Sequence, residues 1–248
     1  VKGAKKDHFI RFVKENLNTQ KLIFSSVGNI PFSKVKRWAE KYLGNIPAFN
    51  AEKSREIITE YIPKKVEIKR PINQAHCIFG GPAYSVVDEK RLPFFMLSNL
   101  LGGPMMSSRL NMSLRERYGY VYSVETIYSA YLDTGMFGVY FGTEPKHLKK
   151  SLILVHKEIK KLKEKSLGTV QLSVLKEQLL AQLAMGEESN VSVMQMMGKS
   201  LLDLQRIDSI TSVFADINRV TASQLQDIAN EVFDEKQFTY LTYIPDNE

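Results

Sequence analysis

Between Gly102 and Thr143 the chain reads GGPMMSSRLNMSLRERYGYVYSVETIYSAYLDTGMFGVYFGT, and few local architectures accept that order of residue types. A glycine pair is followed by small hydroxyl residues. An amphipathic, turn-rich helix is then expected from Ser107 to Arg117, with Leu110 and Leu114 on its apolar side and Gly119 as its stop. Two aromatic-rich alternating runs follow, 119–129 and 134–143, joined at the polar stretch Asp133–Gly135. The order is helix, glycine stop, strand, turn, strand. It sets one cation, Arg115, in the last turns of the helix and one phenol, Tyr122, near the start of the next strand.

The flanking sequence extends this pattern. His8, Phe9, Phe12, Val13 and Leu17 mark a first helix, and Lys21–Gly28 reads as a buried strand. A helix follows Pro31 through Val35, Trp38, Ala39 and Leu43, with Asn29 as cap and Gly44 as stop. Residues 47–60 are polar and without period, and 57–63 suggest a short extended piece. Gln74–Gly80 reads as a strand broken by Gly80-Gly81-Pro82. Asp88 is placed to cap a helix through Leu92, Phe95, Met96 and Leu100, with Pro93 in its first turns. Pro145 opens a lysine-rich helix carrying Leu152, Val155, Ile159 and Leu162 at helical spacing. Residues 169–233 read as helical throughout, with a capping box at Thr221–Gln224, and Phe238–Tyr243 is a closing strand. The fold class expected is α+β: a mostly antiparallel sheet backed by helices.

Composition narrows function by exclusion. With 44% hydrophobic residues in 248, the chain can build a core, and no apolar run approaches a membrane span. The expectation is a soluble protein of the bacterial cytoplasm or periplasm. The formal charge is +7, but the densest basic run, Lys157 to Lys165, contains Glu158 and Glu164 and reads as a solvated helix face. No aromatic and basic platform recurs, so no nucleic-acid partner is expected. The one cysteine, Cys77, excludes an internal disulfide and sits in an apolar run as a buried structural thiol. His8, His76, His147 and His156 have no ligand spacing. The last two are nine apart, about two and a half helical turns, and face opposite sides. Gly102-Gly103-Pro104 lacks the ending of a phosphate loop and reads as a flexible connection. Ser107 and Ser108 have no histidine and acid beside them and read as helix caps. Met194, Met196 and Met197, at helical spacing, are expected to pack in a core.

Ser108-Arg109-Leu110, Leu114-Arg115-Glu116, Gly119 and Tyr122 stand in an order and spacing that resembles the pitrilysin-type zinc peptidases, the family of insulin-degrading enzyme and the mitochondrial processing peptidases. The resemblance covers most of residues 70–245 and is densest at 100–143. It implies a domain that is half of a two-domain clamshell. Residues 1–46 would be the closing helix–strand–helix of a preceding domain, 47–70 a linker, and 71–248 the substrate-gripping C-terminal domain. The family binds zinc through His-x-x-Glu-His on a helix of its first domain. This chain lacks that motif, so the zinc would be bound outside it, and no metal site is expected here. The start at Val1-Lys2-Gly3, without methionine, is read as a truncation. Arg115 and Tyr122 would hold the substrate backbone, facing the zinc across the gap between domains. The implied partners are a metal-bearing N-terminal domain or subunit and a peptide substrate, with a dimer among the assemblies. Alone, the chain would be inactive. Two other readings stay open: a non-catalytic partner subunit of a two-chain zinc peptidase, and a scaffold or binding module.

Overall fold

The structure is a computed structural model that describes residues 3–50 and 60–246. Its strands are β1 (Lys65–Arg70), β2 (Ala75–Ala83), β3 (Val121–Ala130), β4 (Gly135–Thr143) and β5 (Thr239–Pro245). Its α-helices are α1 (Lys6–Asn16), α2 (Phe32–Leu43), α3 (Arg91–Gly102), α4 (Leu148–Glu164), α5 (Thr169–Glu187), α6 (Asn190–Leu204), α7 (Ile210–Arg219) and α8 (Ala222–Val232). The chain divides into two units: Val1–Ile57 with Leu183–Asp208, and Ile58–Gln182 with Ser209–Glu248.

The larger unit is an α+β domain built on one five-stranded sheet of order β1-β5-β2-β4-β3. Only the β1–β5 pairing is parallel; β2–β5, β2–β4 and β3–β4 are antiparallel. Alternation in β2 and β4 explains the layering. Ala75, Cys77, Phe79, Phe137, Val139 and Phe141 are buried on one face, while Ile78 and Met136 are exposed on the other. Helices α3 and α8 pack together over the covered face, and α4 packs on α8. Phe94 of α3, fully buried, anchors this layer. Its ring meets those of Tyr84, Tyr128, Phe137 and Phe233 at centroid distances of 5.7, 4.8, 5.5 and 6.1 Å. These edge-on arrangements are the favoured aromatic geometry.

The smaller unit contains α1, α2 and α6, and none of these three helices buries a side chain. Phe9, Phe12, Phe32 and Trp38 are all exposed. The Ser25 hydroxyl donates to the Met194 carbonyl at 2.8 Å and is one tie within the unit.

Several sequence expectations are corrected here. Lys21–Gly28 is not a buried strand: no described strand pairs with it, and Phe24 is 60% exposed. Asn29 does not cap α2, whose N-cap is Pro31. Gly80-Gly81-Pro82 does not break β2, which runs on to Ala83 beside β4. A Cβ at Gly80 would overlap the Phe137 carbonyl, so glycine permits this close backbone approach. Pairing with β5 ends at Gly80, which frees Pro82 from a hydrogen-bonding neighbour on that side. Asp88 lies a turn ahead of α3 and accepts from the Lys90 backbone N–H at 2.8 Å instead of capping the helix. The helical stretch 169–233 divides into the four helices α5 to α8, with Gln205 in the left-handed region at φ 56° after α6. Met196 and Met197 are exposed rather than packed in a core. The capping box at Thr221 is present, and Cys77 is buried. Residues 51–59, the middle of the expected linker and the start of the extended piece at 57–63, lie outside the described residues.

His156 ties α4 to the sheet. Its Nε2 lies 3.2 Å from the Tyr240 hydroxyl and its Nδ1 3.3 Å from Glu235 Oε1. The Phe79 ring stacks on it at 5.2 Å, and Lys65 Nζ lies 5.1 Å over the Tyr240 ring. Burial holds the imidazole below its ordinary value of 6.5; Glu235 opposes that shift and Lys65 adds to it. A depressed histidine binds fewer protons folded than unfolded, so stability rises with pH across this window. The expected result is a falling urea midpoint as pH drops below about 6.5, with the dependence flattened in His156→Gln. An equal slope in the variant would remove His156 as its source.

Candidate functional site

The first element of the site is a helical segment with wide turns. Asn111–Arg117 adopts π-helical i→i+5 geometry, with Leu114 buried and Leu110 buried just ahead of it. Such turns are rare and are frequently found at functional sites. The segment starts where Ser108 is buried. The Ser108 hydroxyl accepts from the Asn111 side chain at 2.9 Å, not from a backbone N–H, so it is not the helix cap expected. Gly119, at φ 61°, stops the segment with its N–H donating to the Arg115 carbonyl at 3.0 Å.

The second element is a β-bulge. Val121 pairs with Thr143 and Val124 with Phe141, so three steps on β3 oppose two on β4. The extra residue lets Val121 and Val124 both turn inward, an odd number of residues apart, and turns Tyr122 and Ser123 outward. The Thr143 hydroxyl fixes the entry to β3 by donating to the Tyr120 carbonyl at 2.6 Å. Tyr120 itself stacks on His147 at 4.3 Å.

Arg115 and Tyr122 line the same cleft, of about 450 Å³. Its walls come from α3 through Phe95 and Asn99, and from β3 through Ser123 and Glu125. The turn Gly102–Pro104 also contributes. Gly102 and Gly103 are buried and close α3, so this turn is a packed joint, not the flexible connection expected. The Tyr122 side chain is free to meet a ligand at 81% exposure. The Arg115 side chain is 47% exposed, and its Nε lies 3.7 Å from Glu116 Oε1. That distance is too long for a good hydrogen bond, so the guanidinium keeps its fork of donors available. A guanidinium and a phenol converging on one cleft can donate to carbonyl oxygens or stabilise negative charge. The cleft walls on α3 are far in sequence from Arg115, and no local pattern announces them.

A family model described as "Peptidase M16 inactive domain" matches residues 4–179. An uncharacterized zinc protease of Bacillus subtilis, YmxG, is 28% identical over 92% of this chain and 55% of its own length. A probable mitochondrial-processing peptidase subunit beta of Schizosaccharomyces pombe is 23% identical over 95% of this chain and 54% of its own. The crystal structure of a peptidase M16 inactive domain from Pseudomonas fluorescens superposes with a TM-score of 0.78 at 19% identity. It covers 88% of this chain and 52% of that one. By architecture, then, this is an open-sheet α+β domain of the kind found in M16 inactive domains. The chain belongs to the peptidase M16 inactive-domain family. It spans about half the length of the curated relatives it matches.

The relatives' names bring in zinc, and the residues present do not fit it. Among the described residues, no three His, Cys, Asp or Glu side chains converge as ligands. His76 Nδ1 is 2.9 Å from the Tyr140 hydroxyl, His156 is held by Tyr240 and Glu235, and His147 lies against Tyr120. These imidazoles serve packing in separate places. No helix among the described residues is long and apolar enough to cross a membrane.

Proposed function

We propose that this chain is the metal-free half of a zinc endopeptidase, and that Arg115 and Tyr122 hold the backbone of its peptide substrate. The observation that carries the reading is their place on one open cleft, delivered there by a π-helical segment and a bulge. A peptide threaded through the cleft would offer its carbonyl oxygens to the guanidinium fork and the phenol. Both donors would also favour the oxyanion that forms when water attacks a carbonyl. The water would be activated by zinc held elsewhere, in a preceding domain or a second subunit.

Two further observations support a metal-bearing partner. The zinc protease of Bacillus subtilis is nearly twice as long as the stretch this chain matches. In the smaller unit, α1 and α2 leave their apolar faces uncovered, which suits docking against another domain. The boundaries proposed remain a closing segment at 1–46, a linker at 47–70 whose last six residues join the sheet as β1, and the gripping domain at 71–248. One relative's name calls it a subunit, which favours a second reading: a non-catalytic chain working beside a zinc-bearing one.

The test is metal analysis together with a peptidase assay, on this chain and on the complete gene product. The reading expects no zinc and no turnover from the chain alone. From the complete product, or from the chain mixed with its metal-bearing partner, it expects one zinc and peptide cleavage. Turnover by the isolated chain, or a complete product that neither binds zinc nor finds a zinc-bearing partner, would refute it.

A further inference from the structure

On the other side of the π-helical segment lies a second cleft, of about 810 Å³, between that segment and the C-terminal end of α4. This volume is within the range of small-molecule sites. Arg109, at the start of the helical segment, opens into it half-buried. No hydrogen bond or ion pair engages its guanidinium among the described residues, and burial holds it below the usual arginine value. Arg117 and Lys165 line the same space, also without a carboxylate partner among the described residues.

Two of the three acids in the cleft wall are paired with lysines. Glu158 is bonded by Lys161 at 2.6 Å, and Glu164 is paired with Lys160 at 3.5 Å. Glu116 lines this cleft as well, with Arg115 as its nearest cation, at 3.7 Å. Glu158 still attracts Arg109 electrostatically, but its close contact is with the lysine. Three cations therefore face one cavity with their hydrogen-bonding capacity open. The hydroxyls of Ser113 and Ser166 stand beside them as further donors. A half-buried guanidinium with an empty fork is best satisfied by a planar or tetrahedral oxyanion.

We propose that this second cleft binds a small multivalent oxyanion, a molecule carrying two or more carboxylate or phosphate groups. One group meets Arg109 through paired N–H donors, and another meets Arg117 and Lys165 at the rim. The site is separate from the cleft of Arg115 and Tyr122 and does not depend on the peptidase reading.

Isothermal titration of the 248-residue chain with pyrophosphate and with citrate, at low ionic strength, tests this. The two anions separate phosphate from carboxylate chemistry. The expected result is saturable binding of at least one of them at one site per chain. Arg109→Gln should weaken it about tenfold or more, the loss of a charge-assisted contact. Lys149→Ala, on the exposed face of α4, should leave it unchanged. Absence of saturable binding by either anion would overturn the proposal. So would equal affinity in Arg109→Gln, or an equal loss in Lys149→Ala, the sign of a diffuse basic surface. If Arg109→Gln fails to fold, the double variant Arg117→Ala, Lys165→Ala takes its place. Unchanged affinity there would likewise refute the site.

Discussion

Replacing Arg115 by alanine in the complete gene product is expected to lower kcat/KM for peptide cleavage by about 100-fold or more. That is the usual scale for deleting a donor aimed at developing negative charge. Zinc content should not change, because no described metal cluster includes this residue. Stability should hardly change either. The side chain is half exposed, and its nearest described acid is Glu116 at 3.7 Å, an exposed contact of little energetic weight. Arg115→Lys keeps the charge and loses the fork, so its activity should fall between alanine and the parent. Tyr122→Phe removes a single neutral donor and should cost about tenfold. Steady-state kinetics with zinc analysis on each variant checks this. An Arg115→Ala enzyme as active as the parent would leave the cleft without the role proposed.

The largest stability effect is expected at Phe94→Ala. The ring is fully buried and touches four other aromatic rings, drawn from the residue that ends α8, from β3, from β4 and from the turn after β2. Truncation removes a large apolar surface and leaves a cavity that rigid neighbours fill poorly. The cost should be about 3–5 kcal/mol. It should appear as a lower urea midpoint for the sheet unit with an unchanged slope. The next residue provides the contrast. Phe95 is exposed on the cleft side of α3, so Phe95→Ala should shift stability by no more than about 0.5 kcal/mol. Similar losses at both positions would mean that the aromatic cluster is not what holds α3 on the sheet.

What the sequence exposes and what it hides follow from the range of the interactions. The β3–β4 hairpin is legible because alternation and a polar joint are local signals, and the Thr221 capping box for the same reason. β1 is not. It offers only Val66 and Ile68 as an alternation, and it pairs in parallel with β5, whose partner residues lie about 175 positions away. The apparent strand at Lys21–Gly28 has the apolar residues of a buried strand, but burial needs a neighbour that no local pattern supplies. Nor does the sequence distinguish π from α turns at Asn111–Arg117, since Leu110 and Leu114 suit either. For the site, Arg115 and Tyr122 are legible through a resemblance in order and spacing. The bulge that turns Tyr122 outward follows from Val121 and Val124 both being apolar at odd spacing, a signal readable in retrospect. The α3 wall of the cleft and the unpaired state of Arg109 depend on contacts across the fold and leave no trace in the linear pattern.

A kinetic double-mutant cycle on Arg115 and Tyr122, in the zinc-loaded complete product, addresses the central claim most directly. If both side chains grip one peptide at one oxyanion, the losses in kcat/KM will not add: Arg115→Ala, Tyr122→Phe together should be markedly less damaging than the product of the single effects. Two losses that multiply independently, or no loss at either position, would contradict it.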